Sequence, residues 1–309
     1  MKNRVLLSGA SGLIGSAVRR ELETAGWDCR QLVRRKPQKP DEIEWQAGKG
    51  AGLDAAGLGE PEVAIHLSGA GIADKRWSKE RKRLIVDSRV ESTRALVEAL
   101  SGLEPKPRLL ICASAIGIYG DRGDDVLDED SAPGTGFLPE TCLKWEAAAA
   151  EAAKAGIRVV STRFGIVLAK EGGALKQMLP VFRWGLGGPL GNGRQWMSWV
   201  SLRDVARALA FLADPAQAEG PAVEAVNVVA PNAVTNAEFA RQLGKELHRP
   251  AFLPVPGFVL RLVFGEMADA ALLASMRVRP KRLEEMGFRF EDTMLWEAFH
   301  SAMAVPGKL

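Results

Sequence analysis

A short apolar run, Val5-Leu6-Leu7, feeds directly into Ser8-Gly9-Ala10-Ser11-Gly12-Leu13-Ile14-Gly15. Beyond it Leu13, Ile14, Ala17, Val18 and Leu22 recur at helical spacing. No other stretch constrains the fold as tightly, because a buried strand, a glycine turn and a helix follow one another without a spare residue. Each glycine has a physical task. Gly9 permits the tight turn, Gly12 lets backbone approach a pyrophosphate, and Gly15 lets helix and strand pack closely. Phosphates would lie at the helix N-terminus, where unpaired N–H groups and the helix dipole favour anions. A second strand within about 30 residues completes the context that a glycine triplet needs to be read as a dinucleotide-binding turn.

That second strand is Asp28-Cys29-Arg30-Gln31-Leu32-Val33, and its end bears on which nucleotide is bound. An acidic residue there would hold a ribose 2′-hydroxyl. This chain carries Arg34-Arg35-Lys36, with no carboxylate before Asp41. Guanidinium groups pair with a 2′-phosphate that a carboxylate would repel. With the Ser11 hydroxyl as a further donor, the expectation is NADP(H) rather than NAD(H). The alternative is a solvated basic loop.

Composition narrows the class. The chain of 309 residues is long enough for one large domain or two joined ones. A hydrophobic fraction of 47% and a charged fraction of 26% are ordinary for a globular protein. A net charge of +3 does not by itself imply nucleic acid. No signal-peptide pattern opens the sequence, and no apolar run reaches about 18 residues. Cys29, Cys112 and Cys142 are odd in number, and His66, His248 and His300 are scattered, so neither a disulfide framework nor a metal site is expected. A reduced, cytoplasmic setting fits.

Strands and helices alternate through the first half, which predicts a parallel sheet covered on both faces. Pro37 to Gly59 is polar and irregular, with one short strand around Ile43-Glu44-Trp45. Val63 to Leu67 reads as a buried strand ending in Ser68-Gly69-Ala70-Gly71, small residues that suit backbone passing beside a cofactor. His66 lies inside that strand and is read as a hydrogen-bonded core residue. Ser78 to Leu100 is a long helix approached by Lys75, Arg76, Lys79, Arg81, Lys82 and Arg83. A solvated face explains those charges better than nucleic acid, since Trp77 is the lone aromatic among them. Arg108 to Ala113, Arg158 to Arg163 and Val226 to Val229 are further strands, and Trp145 to Ala155, Leu202 to Leu212 and Asn236 to Leu247 further helices. Gly172 to Gly193 is glycine-rich, Gln195 to Val200 looks like one strand, and Phe252 to Leu309 reads as short helices and turns.

The order of motifs resembles the extended short-chain dehydrogenase/reductase superfamily. It rests on Gly9-x-x-Gly12-x-x-Gly15, His66-Leu67-Ser68-Gly69-Ala70, Ile118-Tyr119-Gly120 and Arg163-Phe164-Gly165-Ile166-Val167. Trp145-Glu146-Ala147-Ala148, Gly185 to Gly191, Gly193 to Trp199, Phe252 to Pro256, Ser275 to Pro280 and Gly287-Phe288 are similar to an atypical, epimerase-like family within it, sometimes called cell-division-inhibitor-like or nucleotide-sugar-epimerase-like. The resemblance implies an α/β fold: a Rossmann-type doubly wound parallel sheet with a smaller C-terminal α+β substrate domain. Residues 1–165, completed by part of 200–230, would bind NADP(H), and residues 166–309 would form most of the substrate domain. Onto this chain it places the cofactor on Gly9, Ser11, Gly12, Leu13, Ile14 and Gly15, on Arg34 and Arg35, and on Leu67, Ser68, Gly69 and Ala70. Arg89, Ala113, Phe164, Gly165 and Ile166 complete that set.

The chain departs from the superfamily at the expected catalytic pair. A Tyr-x-x-x-Lys motif, in which the lysine and the cofactor ribose lower the tyrosine pKa, is impossible here: Tyr119 is the single tyrosine and position 123 is Gly123. Counting from Glu146 and Arg163 puts the tyrosine and lysine positions at Leu138 and Cys142, and the serine position at Ala115, beside Ser114. Ser114 and Tyr119 are the leading candidates to move a proton, with Glu140, Cys142 and Lys144 nearby. Each has a structural alternative: backbone bonding for Ser114, turn packing for Tyr119, solvated helix positions for Glu140 and Lys144, and a small buried hydrophobe for Cys142. Three functions stay open. One is an NADP(H)-dependent oxidoreductase or epimerase on a small molecule, since the cofactor carries the hydride chemistry. Another is a non-catalytic NADP(H)-binding redox sensor or regulator. The weakest is a nucleic-acid or membrane factor. Trp184, Arg194, Trp196, Met197 and Trp199 are candidates to line a substrate site, a nucleotide sugar being one option, against the alternative that they form the smaller domain's core. A monomer or homodimer is expected.

Overall fold

The computed structural model describes residues 3–46 and 55–303. The middle of the irregular Pro37–Gly59 stretch, the first two residues and the last six of the C-terminal run lie outside the described residues. The strands are β1 (Arg4–Ser8), β2 (Asp28–Val33), β3 (Glu42–Glu44), β4 (Val63–His66), β5 (Leu109–Ala115), β6 (Val126–Leu127), β7 (Arg158–Phe164), β8 (Ile166–Leu168), β9 (Trp196–Met197), β10 (Trp199–Ser201), β11 (Val223–Val228), β12 (Val234–Thr235) and β13 (Arg277–Val278). The helices are α1 (Leu13–Thr24), α2 (Ala55–Leu58), α3 (Lys79–Ser101), α4 (Phe137–Ala150), α5 (Gly173–Arg183), α6 (Leu202–Ala213), α7 (Asn236–Glu246), α8 (Gly257–Phe264), α9 (Lys281–Glu285) and α10 (Leu295–Met303).

Seven strands form one sheet in the order β11-β7-β5-β4-β1-β2-β3. The pairs β5–β4, β4–β1, β1–β2 and β2–β3 are parallel. Chain order reverses between β1 and β4, so the crossovers diverge from that point. Right-handed connections on its two sides place α1 and α3 on opposite faces. The crevice beyond the carboxyl ends of β1 and β4 is the topological switch point, where ligands of such sheets bind. The expected doubly wound, Rossmann-type sheet is therefore present. Its inner strands β1, β4 and β5 are built on apolar runs and are buried along nearly all of their length.

Two compact units divide the chain. The first comprises Met1–Ser114, Thr141–Arg163 and Ala206–Val226 and carries the sheet up to the last residues of β5, β7 and β11. In it α1 buries Ala17, Val18 and Leu22. Helix α3 starts at Ser78, whose Oγ accepts the Arg81 N–H at 3.1 Å, and ends at Gly102.

The second unit comprises Ala115–Glu140, Phe164–Val205 and Asn227–Leu309. Its core gathers Leu175, Leu179 and Phe182 of α5, Trp199 of β10, Phe239 and Leu243 of α7, and Leu295 and Phe299 of α10. Phe239 and Phe299 meet edge to face at 5.1 Å. Helix α5 replaces the glycine-rich loop expected at Gly172–Gly193. Its apolar residues at positions 175, 179 and 182 form one buried stripe that holds the helix despite Pro180. The strand expected over Gln195–Val200 is two strands. Ser198 interrupts it, accepting the Val278 N–H at 2.8 Å and donating to the Met276 carbonyl at 2.9 Å. As a result β9 pairs with β12 and β10 with β8. Residues Ser275–Arg279 are stitched into this unit on both sides. Ser275 N–H donates to Asp121 and Arg279 N–H to the Leu127 carbonyl, while the Trp196 N–H donates to Ser275 Oγ.

His66 is a core residue, as expected from its strand position, and its protons can be assigned from its neighbours. Ser92 Oγ donates to the Ser88 carbonyl at 2.7 Å and so accepts from His66 Nε2 at 3.1 Å. Nδ1 then accepts from Ser8 Oγ at 2.6 Å. Burial pushes the imidazole down to about 4 from its ordinary 6.5. The unfolded chain therefore takes up a proton that the fold refuses between those two values. Stability is complete above about pH 6.5 and falls as pH drops from there towards about 4, by on the order of 3 kcal/mol. Urea unfolding at about pH 7 and about pH 4.5 should show a smaller acid loss for His66→Gln than for the parent. Equal losses in the two proteins would overturn the assignment.

Candidate cofactor and active site

The glycine turn is built by contact. Gly9 has φ +73°, and a Cβ there would lie 2.8 Å from the Leu67 carbonyl carbon and oxygen. A Cβ on Gly15 would sit 2.1 Å from the Gly9 carbonyl oxygen, so the helix reaches its place only without one. Gly12 donates its N–H to the Gly9 carbonyl at 2.9 Å and caps α1 in an extended conformation, with no capping side chain and no acid in the first turn. The N-terminal N–H groups of α1 thus face the switch point with no carboxylate competing for them. Ser11 is exposed, and Leu13 and Ile14 are half-buried in the first helical turn.

Leu67–Ala70 follows β4 and abuts Gly9. It is held at both ends. The Leu67 N–H reaches Ser8 Oγ at 3.3 Å, and the Ala70 N–H donates to Ser88 Oγ at 3.1 Å. Arg89 Nη1 donates to the carbonyls of Ala70 and Ile85, each at 3.0 Å. A Cβ on Gly69 would meet the Arg89 guanidinium at 3.4 Å, and that guanidinium lies 5.0 Å from the centre of the Trp145 ring. Burial lowers the Arg89 pKa. Ala113 is buried in β5.

The two arginines after β2 are not equivalent. Arg35 grips Glu42 with two hydrogen bonds of 2.8 and 2.7 Å, and Glu42 also accepts the Gln38 N–H at 2.7 Å. The Arg35 pairing pulls Glu42 down to about 2. The run Arg34–Lys36 has no acid of its own, yet β3 supplies one. Of the two arginines expected to clamp a 2′-phosphate, Arg35 is engaged with Glu42, whereas Arg34 is exposed and, among the described residues, without an ion-pair partner. Part of the basic approach to α3 is likewise internally paired, Arg81 with Asp74 and Arg83 with Asp87.

The catalytic candidates separate. Ser114 is buried and donates to Glu146 at 2.6 Å, and Glu146 is gripped by Arg163 through bonds of 2.8 and 2.9 Å. Ser114 is thus a partner of a side-chain ion pair rather than of backbone. Tyr119 has no exposed surface, and its hydroxyl donates to Asn227 Oδ1 at 2.8 Å. That geometry packs the Tyr119 ring in the second unit and gives its hydroxyl an internal partner. Glu140 and Lys144 are exposed on α4, and Cys142 is buried on its other side. Cys112, also buried, is pushed up to about 12 by desolvation, which removes it as a nucleophile.

In the second unit Phe164 is buried and Ile166 half-buried. A Cβ on Gly165 between them would lie 2.7 Å from the Ser198 carbonyl, so that position serves backbone packing. The two tryptophans of Trp196-x-x-Trp199 part company. Trp199 is core, its indole donating to the Asn232 carbonyl at 3.0 Å. Trp196 is half-buried, donates to Asp124 at 2.8 Å and carries the Arg277 guanidinium at 4.2 Å over its ring. Arg277 had no signal in the sequence beyond its place in Ser275–Pro280. Met197 accepts from Asn236 at 3.1 Å, Trp184 is 82% exposed and Arg194 is exposed.

Sheet order and glycine cradle define a Rossmann-type α/β protein. The chain belongs to the NAD dependent epimerase/dehydratase family, whose model matches residues 5–228, and a domain of unknown function, DUF1731, matches residues 255–302. An epimerase family protein of Mycobacterium tuberculosis (strain CDC 1551 / Oshkosh) is 41% identical over 98% of both chains. The crystal structure of human epimerase family protein SDR39U1 (isoform 2) with NADPH superposes with a TM-score of 0.87 at 32% identity, covering 98% of this chain and 100% of that one. A nucleoside-diphosphate sugar epimerase from Corynebacterium glutamicum gives 0.77 at 31% identity, covering 98% of this chain and 58% of that longer one. Among the described residues no helix is long and apolar enough to cross a membrane.

The Ser114–Glu146–Arg163 arrangement yields a test of its own. With the two ionic side chains only 10% and 16% exposed, Glu146→Gln strands the guanidinium and should cost about 3–5 kcal/mol in urea unfolding. Ser114→Ala should cost about 1 kcal/mol. A Glu146→Gln protein as stable as its parent would show that the pair is not structural.

Proposed function

We propose that the chain binds NADP(H) and acts as an atypical oxidoreductase or epimerase on a small molecule. The observation that carries this is the cradle of Gly9, Gly12 and Gly15 at the switch point, with Arg34 placed after the neighbouring strand. In this reading Gly9–Gly15 hold the pyrophosphate, Arg34 pairs with the 2′-phosphate, Ser11 adds a hydroxyl donor, and Leu67–Ala70 with Arg89 flank the nicotinamide half. The bound cofactor supplies hydride chemistry, and the protein supplies position and electrostatics. The human relative solved with NADPH supports the choice of NADP(H). The residues from 1 to about 165 form the cofactor domain and most of the rest the substrate domain, in a cytoplasmic monomer or homodimer. A nucleotide sugar is the substrate class favoured by the Corynebacterium relative and by the Trp196–Arg277 stack.

A second reading, a non-catalytic NADP(H)-binding regulator, draws on one observation. Tyr119 is spent on Asn227, and Leu138 and Cys142 occupy the positions expected for tyrosine and lysine. The two readings share the cofactor and diverge on turnover.

Fluorescence titration with NADPH and NADH tests the shared part. Arg34→Ala should weaken NADPH by about 10- to 100-fold and leave NADH nearly unchanged, while Arg35→Ala should do less because Glu42 already holds that side chain. Equal affinity of the parent for both cofactors, or no binding, would overturn the reading.

A further inference from the structure

The middle of α3 carries a charge that, among the described residues, no carboxylate neutralises. Arg89 is half-buried, and among the described residues it faces no carboxylate. Its hydrogen bonds all use Nη1 and go to two carbonyls, leaving the donors of Nε and Nη2 uncommitted among the described residues. The guanidinium is not loose: it lies 5.0 Å from the Trp145 ring centre, and the Trp145 indole is itself fixed by donating to Thr93 at 3.1 Å. It also borders Gly69, the most exposed residue of the Leu67–Ala70 loop, at a distance where a Cβ would touch it. Leaving a cation this enclosed without a counter-charge is costly, and burial depresses its pKa. By contrast Arg163, one strand over, is fully matched by Glu146.

Trp145 stands three residues after Cys142 on α4, so the two side chains share a helix face. Cys142 lies within electrostatic range of Arg89. Position 142 is where the resemblance expects a lysine, and this chain has a buried thiol there. We propose that Arg89, reaching across from α3 and stacked on Trp145, supplies from a different element the positive charge missing at position 142, and presents it to the ribose hydroxyls of the nicotinamide half of the cofactor. This rests on the NADP(H) reading above and assigns Arg89 as a positioning residue. The arrangement keeps a fixed cation at the ribose while leaving the tyrosine position apolar.

The experiment uses three variants of the full chain and two probes, NADPH and adenosine 2′,5′-bisphosphate, which lacks the nicotinamide half. Arg89→Gln keeps amide donors for the Ala70 and Ile85 carbonyls but removes the charge. It should weaken NADPH by about 10- to 100-fold and leave the bisphosphate unchanged. Arg89→Lys keeps the charge without the planar fork and should retain more NADPH affinity than the Gln variant. Adding Cys142→Lys to Arg89→Gln should recover part of the loss. Unchanged NADPH binding by Arg89→Gln overturns the inference, as does an equal loss of both probes, which would make Arg89 a loop support only. Failure of Cys142→Lys to recover any affinity in a folded double variant also overturns it. Should Arg89→Gln not fold, Arg89→Lys decides alone: a loss confined to NADPH and no greater than about tenfold supports the inference, and any other pattern overturns it. A parent protein that binds neither probe removes the NADP(H) reading itself, a separate outcome.

Discussion

Everything in the first unit depends on one close approach. The Gly9 carbonyl, the first turn of α1 and the Leu67 backbone occupy nearly the same space, with no room for a Cβ at Gly9 or Gly15. Two consequences follow from this single constraint. The amino end of α1 is brought to the carboxyl edge of β1, which concentrates unpaired N–H groups at the switch point. The loop after β4 is pressed against the turn after β1. A glycine triplet is thus a packing requirement first and a binding feature second. The phosphate-sized cradle is what remains once the backbone has come this close.

The loop Leu67–Ala70 would still be free to shift along its length were it not wired to α3. Its leading N–H bonds to Ser8, whose hydroxyl donates to His66, and His66 in turn donates to Ser92. Its trailing end is held by Ser88 and Arg89. Residues 88, 89 and 92 lie on about one turn of α3, so a single helical segment fixes both ends of the loop. A neutral imidazole suits this role, because the chain of donors needs Nδ1 to accept and Nε2 to donate. His66 therefore belongs to the core by burial and to the site by connection.

The sequence showed the elements best where periodicity was strong and burial two-sided. Strands β1, β2, β4, β5 and β7 and helix α6 were legible within a residue or two at most ends. It concealed what depended on partners far along the chain. Glu42 lies outside the basic run, so its grip on Arg35 was invisible until β3 was seen to pair with β2. Trp196 and Trp199 look alike in sequence, and only the break at Ser198, imposed by Met276 and Val278, sends one to the core and leaves the other half-buried under Arg277. Helix α5 was masked by its flanking glycines and by Pro180, although its buried stripe was present all along. Within the site, the glycine positions were readable because they answer to local sterics. The partners of Ser114 and Tyr119 were not, because Glu146 and Asn227 are set by tertiary packing.

The absence of a Tyr-x-x-x-Lys pair takes on a different meaning once polar contacts are traced. Two of the candidate hydroxyls have internal partners, each within its own unit. Ser114 donates to a carboxylate that an arginine already saturates, and Tyr119 donates to a buried amide. Charge is not absent in the same way. The Arg89 guanidinium lies over Trp145 with donors uncommitted among the described residues, and the N-terminus of α1 carries no side-chain cap. On the proposed reading, the cofactor side offers fixed charge and helix N–H groups, and the sequence holds no Tyr-x-x-x-Lys pair. Hydride transfer asks chiefly for position and field, whereas proton transfer asks for a titrating group within reach. A protein built this way is equipped to hold a nicotinamide cofactor firmly.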